Sequence, residues 1–170
     1  MPISAISVTF KGGDKYKGLL AKIAAQNVGV KAGILAGATK ADGTKVAYYA
    51  AVNEFGGTSV IEGHTVRIPP RPFMRDTVRG SSNEWGRLLS GTLSRHPDGA
   101  KAAMYIIGQR MADDIQATIQ AGNFQPLSPK TVERKAKEGK REPATPLIDT
   151  GTMLKSVNYE VVSTKGGEAE

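Results

Sequence analysis

The sequence predicts an α+β fold: a small, mostly antiparallel sheet packed with one long and several shorter helices, joined by long proline-containing loops. Three observations carry that prediction. Short stretches with an apolar residue at every second position flank stretches with helical spacing. One stretch, residues 100–122, keeps a single apolar face along its whole length. Nine prolines gather mainly where regular structure is interrupted, because proline lacks the amide donor that helices and sheets need. With 170 residues, 39% of them hydrophobic, the chain suits a single domain over 1–170; two compact domains would be cramped.

Residues 14–26 place Leu19, Leu20, Ile23 and Ala24 on one stripe behind Asp14 as N-cap, which predicts a helix. Val28, Val30, Ala32 and Ile34 alternate in a strand stopped by Gly37. A loop turning at Asp42-Gly43 leads to a helix over 45–57, closed by Gly56-Gly57. Two short β segments around Glu62-Gly63 follow. Pro69, Pro70 and Pro72 then hold the chain extended, and 57–72 reads as an extended loop region. A helix starts near Met74, with a break expected at Gly80, Ser81 and Ser82. The long helix sets Ala103, Ile106, Ile107, Met111, Ile115, Thr118 and Ile119 on one face and stops at Gly122. Ser128 as N-cap and Pro129 at the first helical position open a short basic helix inside a second loop region, 123–147. After Pro143 and Pro146 come a short turn and a strand with Val157, Tyr159 and Val161 on one side; 164–170 reads as a flexible tail.

Several kinds of chemistry find no support in the residues. There is no cysteine, hence no disulfide framework, thiolate nucleophile or thiolate metal site. The N-terminus lacks the pattern of a signal peptide, and no apolar run reaches the roughly 18 residues of a membrane span, so no membrane partner is expected. His64 and His96 read as surface loop residues, and two isolated histidines make no zinc site. Asp113 and Asp114 point about 100° apart on their helix and read as solvated charges. No phosphate-binding fingerprint is present, and no cofactor is expected. Asp149-Thr150-Gly151 has the wording of an aspartic protease, whose chemistry needs two carboxylates sharing a proton. Here it lies near the C-terminus of a helix-rich chain, before a short helix, where Asp or Thr can accept backbone N–H groups, and Asp149 reads as a helix cap.

The formal charge is +7 and the pI about 9.7. Residues 129–142 hold six Lys or Arg against three Glu, and Arg67, Arg71, Arg75 and Arg79 recur at intervals of four. With 74–79 helical, Arg71, Arg75 and Arg79 form an exposed row. These three with Lys130, Arg134, Lys135 and Lys137 are the candidates for facing an anion or DNA. Aromatics, 6% of the chain, do not interleave with them as a single-strand stacking surface would require. A solvated face or an anionic protein partner is therefore preferred to direct DNA binding.

Three stretches together resemble a known group. VKAGILAGATKADGTKVAYYAAVNEFG, IPPRPFMRDTV and PLSPKTVERKAK…PLIDTGTMLKSVNYEVV are similar, in order and spacing, to the tail-completion and neck proteins of tailed bacteriophages, the HK97-type and Mu-type virion morphogenesis proteins. The likeness spans roughly residues 28–162. It implies a structural subunit at the head–tail junction of a virion, made in the host cytoplasm. That subunit acts without catalysis, as a ring of six or twelve copies (neck, collar or tail-completion) joining the head connector to the tail. Implied partners are itself, head-connector and tail proteins, and passing double-stranded DNA without sequence reading. The shared-motif residues are Asn53, Glu54, Phe55, Gly56, Pro69, Pro70, Arg71, Pro72, Phe73, Leu147, Asp149, Thr150 and Gly151; of these, Gly56 also reads as a cap, and Phe73 and Leu147, with Ile148, as core. The segment before the proline loop and the run KAKEGKREPATP are longer than the resemblance leads one to expect. From other classes, the alternatives are a basic double-stranded DNA-binding protein and, more remotely, an aspartic protease using Asp149.

Overall fold

The structure is a computed structural model that describes residues 24–35, 37–40, 43–61 and 63–164, together with Gly18 and Ala21. Of the helix expected over 14–26, Gly18, Ala21, Ala24 and Ala25 are helical. Asp14, Leu19, Leu20 and Ile23 lie outside the described residues, as do Asp42, Glu62 and the tail residues 165–170.

Nine elements follow one another among the described residues: β1 (Val28–Ile34), α1 (Val46–Phe55), β2 (Gly57–Ile61), β3 (His64–Ile68), α2 (Phe73–Arg95), α3 (Ala100–Ala121), α4 (Pro129–Lys137), α5 (Thr152–Lys155) and β4 (Val157–Ser163). The fold is α+β. Its strands form two separate antiparallel pairs, β1 with β4 and β2 with β3, where one small sheet was expected. In the first pair Val30 faces Val161, Ala32 faces Tyr159 and Ile34 faces Val157, so the alternating residues of both strands share one face. That face lies on α3, which also packs against α2. Val46, Ala50, Phe73, Ala112, Ile115, Ile119, Leu147, Met153 and Val157 make the main core. Leu93, Ala100 and Ala103 form a smaller cluster at the other end of α3.

Gly108 sets the distance between helix and sheet. A Cβ placed there would lie 2.7 Å from Val30 Cγ2 and 2.9 Å from Tyr159 Cγ, inside van der Waals contact. Replacing Gly108 by Val therefore forces α3 off the β1–β4 pair. Overpacking of this kind typically costs about 1–3 kcal/mol, and urea denaturation of Gly108→Val is expected to show a loss of that size.

Four expectations need correction. α2 is unbroken over its 23 residues, so there are two long helices instead of one. Gly80 sits on the open side, while Phe73, Thr77, Trp85 and Leu93 are buried, and that tertiary packing overrides the weak local propensity. Ile106 is half exposed, displaced from the buried stripe of Ala103, Ile107, Ala112, Ile115 and Ile119. Asp114 is no solvated charge: its carboxylate accepts from Trp85 Nε1 at 2.7 Å and Arg110 Nε at 2.9 Å, tying α2 to α3. Finally, 57–72 is not an extended loop for most of its length, because the two β segments expected there pair as the β2–β3 hairpin; 123–147 contains the expected basic helix as α4. No helix among the described residues is long and apolar enough to cross a membrane.

Candidate functional site

Asn53, Glu54, Gly56, Pro70, Arg71 and Phe73 meet where the C-terminal end of α1, the proline loop and the start of α2 come together. α1 ends because Gly56 leaves helical geometry, at φ 77° and ψ 173°, a region that is essentially restricted to glycine. A Cβ there would also stand 3.0 Å from both Ile68 O and Pro70 N. The tight seat brings the proline loop back across the end of α1, where Arg71 N donates to Asn53 O at 2.6 Å. Gly56→Ala is expected to cost about 1–3 kcal/mol, the usual size of such backbone strain, read from the shift of its thermal or urea midpoint.

Glu54 is the centre of this corner. It is 4% exposed, and its two carboxylate oxygens accept from Met74 N at 2.9 Å and Arg75 N at 3.2 Å. Those are the second and third residues of α2, whose own N-cap position is Pro72, with no capping side chain. Glu54 thus caps α2 from a neighbouring helix, filling the orphan amides and meeting the positive end of the helix dipole. Arg75 Nε donates to the same carboxylate at 2.8 Å, its terminal nitrogen donates to Glu54 O at 2.6 Å, and its guanidinium lies 5.1 Å from the centre of the Phe55 ring. Phe73 is in the core, while Phe55 is 68% exposed.

Arg71 does not belong to an exposed row. It precedes α2, is 6% exposed, and donates from Nε to Gln125 O at 3.3 Å and from a terminal nitrogen to Asn53 Oδ1 at 3.5 Å. Burial lowers its pKa, with the neighbouring Tyr49 acting in the opposite direction. Arg75 is held by Glu54, and Arg79 pairs with Asp76 at 2.8 Å. Of the expected exposed row, Arg75 and Arg79 are exposed, each in an ion pair, while Arg71 is a buried anchor.

The closing motif is held from below. Lys135, expected as a DNA-facing cation, is buried at 3% exposure. Its ammonium donates to Ile148 O at 2.6 Å and Thr145 O at 2.9 Å, with Glu142 O at 3.5 Å. Leu147 lies inside that loop, buried and at φ 64°, a left-handed conformation unusual for a branched residue. Ser128 caps α4 as expected, accepting from Thr131 N. The exposed cations of α4 are matched within the helix, Arg134 with Glu138 and Lys137 with Glu133; Lys130 is exposed.

Asp149 is not the cap of α5. It is exposed, and the side-chain acceptor at that helix start is Thr150 Oγ1, 3.4 Å from Thr152 N. Gly151, at φ 74°, occupies the N-cap position. Among the described residues no group of three or more His, Asp or Glu could hold a metal ion. The structure brings Asn53, Glu54, Gly56, Pro70, Arg71 and Phe73 into one corner, with Leu147 in the same core; Asp149 and Thr150 stay on the surface. Comparison of the chain with models of known protein families, with curated proteins and with solved structures finds no match in any of the three.

Proposed function

We propose that this chain is a structural virion protein of a tailed bacteriophage, a neck, collar or tail-completion subunit that forms a ring between head connector and tail. One observation carries the reading: within the stretches of the resemblance, Asn53 is locked to Arg71 and Glu54 to the amides of Met74 and Arg75, through buried and part-buried polar contacts. Motif residues that hold a frame rigid are what an assembly subunit needs, because pre-ordered surfaces lose less entropy on docking. Alongside them the chain leaves Tyr48, Phe55 and Val60 about 70% exposed, apolar groups suited to burial against another protein. The DNA-binding alternative loses two of its seven candidate cations, Arg71 and Lys135, to the interior. Deleting the gene from its phage is expected to yield filled heads and finished tails that remain unjoined in electron micrographs, with joining restored by the gene in trans. Normal infectious particles from the deletion would overturn the proposal.

A further inference from the structure

The β2–β3 hairpin is a ribbon whose two outer edges pair with no other strand among the described residues, and it packs extensively on no other element. An isolated two-stranded hairpin is marginally stable in water, and open edges invite pairing or covering. This one has a rigid base in the Gly56 seat and the Arg71–Asn53 contact. Register places Val60, Thr58, Thr65 and Arg67 on one face and Val66 on the other. Val60 is 71% exposed and Val66 40%.

Beside that base runs an apolar groove of about 280 Å³, between the outer face of α1, the end of β1 and the start of α2. Ile34, Ala47, Ala51, Phe55 and Met74 line it. Its charged lining groups, Glu54 and Arg75, are already paired with each other.

We infer that the groove receives the β2–β3 hairpin of a second copy of this chain, with Val60 as the inserted side chain. Charge selects the occupant. Two molecules of net charge +7 repel except where they present neutral surface. The groove is neutral, and the hairpin's two faces are apolar and hydroxyl-bearing around a single described cation, Arg67. Nucleic acid and acidic proteins alike would find no free cation in the groove, where Arg75 is paired with Glu54. Hairpin and groove are different surfaces, so the contact is heterologous and repeats from copy to copy until a ring closes. The inference rests on the ring reading and names the contact that would build it.

The absence of cysteine makes disulfide trapping clean, and both chosen positions are exposed. Full-length A51C and V60C are purified separately, mixed, and oxidised, alongside the double variant A51C/V60C and each single variant alone. The expected result is a covalent dimer only in the mixture, a ladder of closed multiples in the double variant, and monomers from each single variant. V60D, on the unmodified background, should raise the midpoint concentration of assembly at least about tenfold by light scattering. Dimers from V60C alone would mean that hairpins pair with one another, and would overturn the inference. Rings by light scattering without any A51C–V60C cross-link would overturn it while leaving the ring reading intact. A monomer at every concentration, with no cross-link, would overturn both.

Discussion

Glu54→Ala is expected to destabilise the protein by about 3 kcal/mol, while Arg75→Ala costs about 1 kcal/mol or less. The inequality follows from which partner is buried. Removing the Glu54 carboxylate strips Met74 N and Arg75 N of their acceptors; loss of an N-cap alone costs about 1 kcal/mol. It also breaks a charge-assisted bond to Arg75, which contributes about 1.5–3 kcal/mol. Arg75, by contrast, has a half-exposed side chain. Its removal leaves the carboxylate still accepting both amides, and pairs with one partner in water contribute little. Urea denaturation of the two single variants and the double variant checks this. Equal losses would mean that the ion pair, not the cap, is what Glu54 supplies. A near-neutral Glu54→Ala would mean that the start of α2 finds its acceptors in water.

That corner also shows what a sequence can and cannot disclose. Local rules sufficed where the cause was local. Alternation made β1 and β4 legible, Gly56 ended α1, and Ser128-Pro129 opened α4. They failed where the cause was a distant partner. Gly80 looks like a helix breaker until α3 is packed against α2, and Asp114 looks solvated until Trp85, 29 residues away, donates to it. For Glu54 a signal was present and unused. A carboxylate in the last turn of α1 opposes that helix's own dipole, so its place there suggests that it serves some other backbone. Lys135 left a fainter trace. It falls three residues after Val132, on the same side of α4, whereas Lys130, Arg134 and Lys137 are exposed. No window of sequence shows that three carbonyls will gather around one ammonium.

Lys135→Met should therefore cost about 3 kcal/mol, although it exchanges a surface-type residue for an apolar one of similar length. In the native protein the ammonium fills the space among Glu142 O, Thr145 O and Ile148 O and satisfies them. A methionine fills the space but donates nothing. These carbonyls are part-buried, so water replaces the donor only incompletely; a buried acceptor left without one costs about 1–3 kcal/mol, and the left-handed Leu147 lies in the same loop. Lys135→Arg is not expected to rescue, since a planar fork does not match a cage built around a compact ammonium. The pH dependence carries a sign of its own. Burial lowers the Lys135 pKa below its usual 10.5, with Asp149 opposing that shift. Between the folded value and 10.5 the unfolded chain binds more protons, so this residue's contribution to stability rises with pH across that window and falls again as pH drops through the folded value. Half-buried Tyr49, whose pKa burial raises above 10.0, acts in the opposite sense at the alkaline end. The difference between wild type and Lys135→Met isolates the lysine, and it should widen as pH rises from the folded value towards 10.5. A Lys135→Met protein within about 0.5 kcal/mol of wild type would mean that water replaces the ammonium, and that the closing loop is held by its apolar residues Leu147 and Ile148 alone.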